Sequence, residues 1–245
     1  MADWFNSIWG KIVEFLLSLK EEFIFNFIEK DRYMYLVKGL GITLKVTFFA
    51  VILGIFLGFI VAVIRSTHDK TGKMKFLNFI CKIYLTVTRG TPVLVQLMII
   101  YFVIFAPLKI DKSLVAIIAF GLNSGAYVAE IIRGGIMSID PGQTEAGRSL
   151  GFTYAKTMIY IILPQTFKAV LPALANEFIV LLKETSVSAF IGLNDLTRGG
   201  DIIRGVTYSA FMPLLAVAVI YLVIVMILSA GVTKLERRLR KSDRG

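Results

Sequence analysis

The sequence predicts an all-α integral membrane protein: five transmembrane helices, a short helix in the cytoplasmic loop between the third and fourth, and an N-terminal amphipathic segment. Three observations carry this prediction. Of the 245 residues 56% are hydrophobic and 18% charged, with a mean hydropathy of +0.75, which leaves too little polar surface to cover a water-soluble globule. Charge-free windows recur at the length a membrane requires, since a hydrocarbon core about 30 Å thick takes about 20 helical residues at about 1.5 Å each. Basic residues cluster beside those windows, as positive-inside topology requires.

Four windows are uncharged: 46–64, 90–108, 113–129 and 205–233. A further apolar stretch, 157–182, is interrupted by Lys168 and Glu177 and carries Pro164 and Pro172. Topology supports it. The segment between the first two windows has a net charge of +5 and the tail from Lys234 one of +4, so both belong inside; the segment before the first window is neutral and fits the outside. An outside N-terminus and a cytoplasmic C-terminus need an odd number of crossings. Five crossings satisfy this, and they place the loop from Arg133 to Lys156 inside.

Residues 4–28 are apolar but broken by Lys11, Glu14, Lys20, Glu21 and Glu22, too charged to cross, and read as an interfacial amphipathic helix. The chain then divides into an extension (1–38), a membrane domain (39–235, with the loop at 137–156) and a basic cytoplasmic tail (236–245). In the first span Ala50, Gly54, Gly58 and Ala62 recur every four residues, a stripe that lets another helix approach closely. It offers a contact surface to a second copy or homologue.

Other chemistries lack their residues. A single cysteine, Cys81, cannot close an intrachain disulfide, and a single histidine, His68, cannot build a His-rich metal site. The net charge of +10 would suit nucleic acid only on an exposed face, and here the basic residues flank apolar runs, so no nucleic-acid partner is expected. No phosphate-binding loop is present: Gly10-Lys11 and Gly72-Lys73 lack the upstream glycine and the following hydroxyl residue.

The inside loop is the most informative segment. Asp140 can cap a helix, Pro141 suits its first position, Gln143 stands where a capping-box partner would, and Gly151 can end it in the left-handed conformation. Thr153 offers a second cap. The spacing predicts a short, well-delimited helix able to dock on a cytoplasmic partner.

Glu145-Ala146, Gly151, Ile161, Leu163 and Pro164 resemble, at matching spacings, the signature of ABC-importer permeases. Arg89-Gly90-Thr91-Pro92, the stretch from Ala126 to Ile136, and the stretches Asn176 to Ile179 and Lys183 to Ser186 are similar to the polar amino-acid branch, which imports histidine, glutamate, glutamine, arginine and opines. The resemblance runs from about Gly39 to Leu235. It departs at Gly147, which takes the second alanine position, and at Glu184 and Val187, where Asp and Leu are usual. It implies a permease subunit that is not itself an enzyme. ATP and magnesium are then bound by two partner ATPase subunits, engaged through Asp140, Gln143, Glu145, Ala146 and Gly151. It further implies a second permease chain, homo- or heterodimeric, and an extracytoplasmic amino-acid-binding protein.

Acidic side chains at membrane depth need a partner, a wet path or a ligand. Glu177 and Glu184, seven apart, lie within about 20° on one helix face and about 10 Å apart along it, suited to the ammonium and a cationic group of an amino acid. Asn123, Tyr127 and Glu130 form a second polar row. Arg133, a turn further on, either pairs with Glu130 or binds a substrate carboxylate. Two rivals stay open: a permease for another small cationic or zwitterionic solute such as a polyamine, and a scaffold with no path of its own. An oxyanion would want a more basic site, and an intramembrane enzyme would want a nucleophile and base on facing spans.

Overall fold

The computed structural model describes residue 14 and residues 17–242. Of the N-terminal amphipathic helix expected over residues 4–28, residues 4–13, 15 and 16 lie outside the described residues. Residues 17–23 are helical, followed by a wide turn Ile24–Ile28 and a tight one Glu29–Asp31. The eight helical elements that follow are α1 (Tyr33–Thr71), α2 (Lys75–Gly90), α3 (Val93–Ile104), α4 (Lys112–Ser138), α5 (Pro141–Ser149), α6 (Tyr154–Ile191), α7 (Leu196–Thr207) and α8 (Phe211–Ser242).

Four of these, α1, α4, α6 and α8, are long and apolar enough to cross a membrane. A fifth crossing exists where α2 and α3, bent by 111°, count as one broken span. The window 90–108 thus yields only twelve residues, Val93–Ile104, about 18 Å of helix. Pro92 is the reason: it has no N–H and holds an extended conformation (ψ 136°), so the chain turns there. What the sequence shows as a basic connection is mostly α2, an amphipathic helix burying Asn78, Cys81, Leu85 and Thr88 and exposing Phe76, Phe79, Ile80 and Ile83.

Other boundaries move for the same reason, that charge-free sequence is not continuous helix. The window 205–233 is broken at Tyr208, whose φ of 55° ends α7 before α8 begins at Phe211. Conversely, α1 runs through Lys38 and Lys45, so the division expected at 38/39 falls inside it, and α8 carries the basic tail on as helix to Ser242.

The core is the packing of α1 along α4, the most extensive helix pair in the chain. A Cβ on Gly54 would meet Ser124 at 3.0 Å and one on Gly58 would meet Val128 at 2.6 Å, while Ala50 and Ala62 are wholly buried. The small-residue stripe is therefore consumed within the chain and is not available to a second copy. Close approach is what makes it necessary, since only hydrogen fits between the two backbones. A second such contact joins α1 to α7, where Gly39 faces the Asp195 carbonyl and Gly199 the Tyr35 carbonyl. Thr43 Oγ1 there accepts the Leu196 N–H at 3.1 Å. The segment before α1 is tied to the same place, Asn26 Oδ1 accepting the Thr207 hydroxyl at 2.8 Å. Outward faces of α1 and α8 carry Phe48, Phe56, Leu222, Met226 and Ile227, as lipid or helix contact requires.

Candidate functional site

The loop helix α5 has the expected ends. Asp140 Oδ1 accepts the Gly142 N–H at 2.7 Å, Pro141 opens the helix, and Gly151 (φ 83°) turns the chain out of it. Thr153 Oγ1 accepts the Lys156 N–H at 3.4 Å and starts α6. The capping box does not form: Gln143 Oε1 instead accepts from Gln165 Nε2 at 3.4 Å, tying α5 to α6. Glu145 and Ala146 are exposed, and the helix rests on buried Gly147. A Cβ at Gly147 would meet Thr157 at 2.8 Å and Ile161 at 2.9 Å. Glycine at this departure from the family signature is thus what lets α5 lie directly on α6.

The five candidate pathway residues separate into two groups on different sides of α4. Asn123, Tyr127 and Glu130 join a polar chain towards α2 and α3. Gln96 Nε2 donates to the carbonyl oxygens of Thr88 (2.7 Å) and Thr91 (3.0 Å) and to Thr91 Oγ1 (2.8 Å), across the break at Pro92. Gln96 Oε1 in turn accepts from Asn123 Nδ2 at 3.1 Å. One turn on, the Arg89 guanidinium lies over the Tyr127 ring at 5.8 Å. The chain ends at Glu130, whose carboxylate faces Arg65 at 3.0 Å, Arg133 at 3.5 Å and Arg89 at 3.8 Å. The Glu130–Arg133 pair is thus present, as one contact among three. Arg65, Lys82, Arg89 and Glu130 line an open cavity of about 440 Å³ with a surplus of positive charge.

Glu177 lies on the other side of α4. It is buried, and Oε1 accepts from the Ser124 hydroxyl at 2.8 Å. Glu184, half-buried, sits on the same helix where α6 tightens into Thr185–Ile191. Pro172 is carried inside α6 without ending it. Sequence reading missed Arg65, Gln96 and Ser124 as partners. Gln96 left one signal, an amide alone in an otherwise apolar window just beyond a proline. Among the described residues, no cluster of His, Cys, Asp and Glu could hold a metal.

Between α6 and α7, Asp195 caps α7 by accepting the Arg198 N–H at 2.9 Å, and burial pushes its carboxyl up to about 6, an effect the cap only partly offsets.

A bent-helix membrane bundle with a capped, outward-facing loop helix defines a permease-type transport subunit. The family described as "Binding-protein-dependent transport system inner membrane component" matches residues 32–241, and the chain belongs to it. Among its relatives, the arginine transport system permease protein ArtQ of Bacillus subtilis is 39% identical over 211 residues, 85% of this chain and 94% of that one. The glutamine transport system permease protein GlnP of Escherichia coli is 38% identical over 199 residues, 80% and 90% of the two chains. A solved amino acid ABC transporter crystallised with histidines superposes with a TM-score of 0.78 at 43% identity, covering 86% of this chain and 98% of that one. The inward-facing MetNI methionine ABC transporter shares the fold, with a TM-score of 0.73 at 20% identity over 84% of this chain and 96% of that one.

Proposed function

We propose that the chain is the membrane permease of an ATP-driven importer of polar amino acids, arginine and glutamine being the first candidates from its relatives' names. The single observation behind this is α5: a helix capped at Asp140, released at Gly151, resting on Gly147 and presenting Glu145 and Ala146 outwards. Such a foot transmits displacement, because α5 sits on α6 and α6 carries Glu177.

In this reading the α5 end is cytoplasmic, the N-terminus is outside and the C-terminus inside. Two ATPase subunits bind ATP and magnesium and engage α5 through Asp140, Gln143, Glu145, Ala146 and Gly151. A second permease chain completes the path, and an extracytoplasmic amino-acid-binding protein delivers the solute. ATP-driven approach of the ATPases moves α5, tilts the bundle and switches the path between inward and outward access. Glu177 and Glu184 offer negative charge to the ammonium and any cationic side chain. Asn123, Tyr127 and the Arg-rich surround of Glu130, on the other side of α4, offer hydrogen bonds and positive charge to a carboxylate at a separate point. The basic cavity beside Glu130 favours a zwitterion over a polyamine, which lacks the anionic group.

The test is uptake of radiolabelled arginine and glutamine into proteoliposomes holding the permease, its ATPase and its binding protein, with putrescine as competitor. The expected result is amino-acid uptake, insensitive to putrescine and at least tenfold lower in Glu177→Gln/Glu184→Gln. Undiminished uptake in that double variant overturns the path, and displacement by putrescine overturns the solute class.

A further inference from the structure

Beneath α5 lies a second cavity, of about 300 Å³, walled by α1, α4, α5 and the start of α6. It is separate from Glu177 and from the basic cavity beside Glu130, neither of which shares its lining except through Arg133's other contact. Besides the Tyr154 hydroxyl, which lies beside Thr67, two hydroxyls in its wall have no protein partner. Ser66 is 6% exposed and Thr157 1%, and neither Ser66 Oγ nor Thr157 Oγ1 makes a hydrogen bond within the chain. A buried hydroxyl left unpaired costs on the order of 1–3 kcal/mol, so both call for a partner inside the cavity. One water occupies about 30 Å³ of liquid, and the space is roughly ten times that, the lower end of small-ligand sites.

Charge defines what fits. Arg133 Nη1 stands 3.5 Å from Asp69 Oδ2, too long for a strong hydrogen bond, so both groups retain capacity for a ligand. Lys70 adds a second cation to the same wall. Ile136, Met158 and Ile162 add apolar lining. Two cations, one carboxylate, two spare hydroxyls and an apolar wall complement a small molecule bearing a carboxylate, an ammonium and a short side chain.

We propose that this cavity is a binding site for a free α-amino acid reached from the α5 side. Its carboxylate lies on Arg133 and Lys70, its ammonium on Asp69, and Ser66 and Thr157 bond its polar edge. Because Pro141 and Thr144 of α5 form part of the wall, an occupant holds α5 against α1, α4 and α6. The site itself rests on the cavity, its charged lining and its unpaired hydroxyls. That its ligand is the imported solute, and that occupancy slows the ATPase cycle, rests on the function proposed above.

The experiment uses the permease with its ATPase subunits in lipid nanodiscs, without binding protein, and L-glutamine as probe. Saturable binding of radiolabelled L-glutamine is expected, weakened at least tenfold by Thr157→Val and by Ser66→Ala, restored by Thr157→Ser, and kept in Glu177→Gln even where that variant loses uptake. Glutamine is also expected to slow ATP hydrolysis in the wild type and not in Thr157→Val. Absence of binding, binding lost in Glu177→Gln but kept in Thr157→Val, or occupancy by inorganic phosphate without glutamine each overturns the site. Hydrolysis indifferent to bound glutamine overturns the hold on α5.

Discussion

Gln96 Nε2 donates to the carbonyl oxygen of Thr88, eight residues earlier, at 2.7 Å, and so bridges the break that Pro92 makes between α2 and α3. A proline frees backbone acceptors, and in a membrane those acceptors need another donor. One amide side chain supplies it here, and Asn123 of α4 holds that amide in place. The 111° bend is thereby tied to the central helix of the bundle.

Replacing Gln96 by Leu should therefore loosen the bend. It strands the Thr88 and Thr91 carbonyls and the Asn123 amide, at about 1 kcal/mol for each lost bond. At about 2–4 °C per kcal/mol, a fall of about 6–12 °C in thermal midpoint is expected for the purified permease. Asn123→Leu should cost less, because the Gln96 bonds to Thr88 and Thr91 survive it.

The Glu130 carboxylate is shared by Arg65, Arg89 and Arg133. Glu130→Gln should destabilise more than Arg89→Gln, since Arg65 is the most buried of the three cations and would lose its neutralising partner. Arg89, nearly half exposed, retains water and the Tyr127 ring. Comparative thermal midpoints of the two variants check the order.

Gly147→Ala should separate steric from conformational roles in the loop. The added methyl meets Thr157 and Ile161 below 3.0 Å, so α5 must lift from α6. Overpacking of this kind costs about 1–3 kcal/mol. Thr157→Ala in the same chain should recover part of the loss, and a double-mutant cycle on stability measures it.

Asp195 gives stability a pH dependence. Its carboxyl, near 3.8 when unfolded, titrates at about 6 in the fold. The folded state therefore binds the proton more tightly, and the stabilisation present at low pH is lost as pH rises from about 4 through 6, up to about 3 kcal/mol. Asp195→Asn keeps an acceptor for the Arg198 N–H and removes the buried charge. It should come close to the wild type near pH 4, where the stabilisation is still present, and exceed it in thermal midpoint at pH 8.

Local chemistry was readable in the sequence, and long-range chemistry was not. Asp140, Pro141, Gly151 and Thr153 act within a few residues of themselves, so their order along the chain already fixed the ends of α5. The four-residue stripe from Ala50 to Ala62 named a close helix contact but not its partner, which proved to be α4 of the same chain. Charge counting found the crossings, yet it is blind to φ and ψ, so the turns at Pro92 and Tyr208 stayed hidden inside uncharged windows. The Arg65–Glu130 pair joins residues 65 positions apart, and no periodicity reports such a pair. The division of the polar residues between two sides of α4 depends in the same way on which helices pack there.

The most direct test of α5 as the force-transmitting foot is the paired measurement of ATP hydrolysis and amino-acid uptake by Gly151→Val in proteoliposomes with the ATPase and binding protein. Gly151 has φ of 83°, with nothing within 4 Å of an added Cβ, so the change strains the end of α5 without a clash. Hydrolysis continuing while uptake falls at least tenfold is the predicted result. Uptake and hydrolysis both at wild-type rates, in a variant that assembles normally, would contradict it.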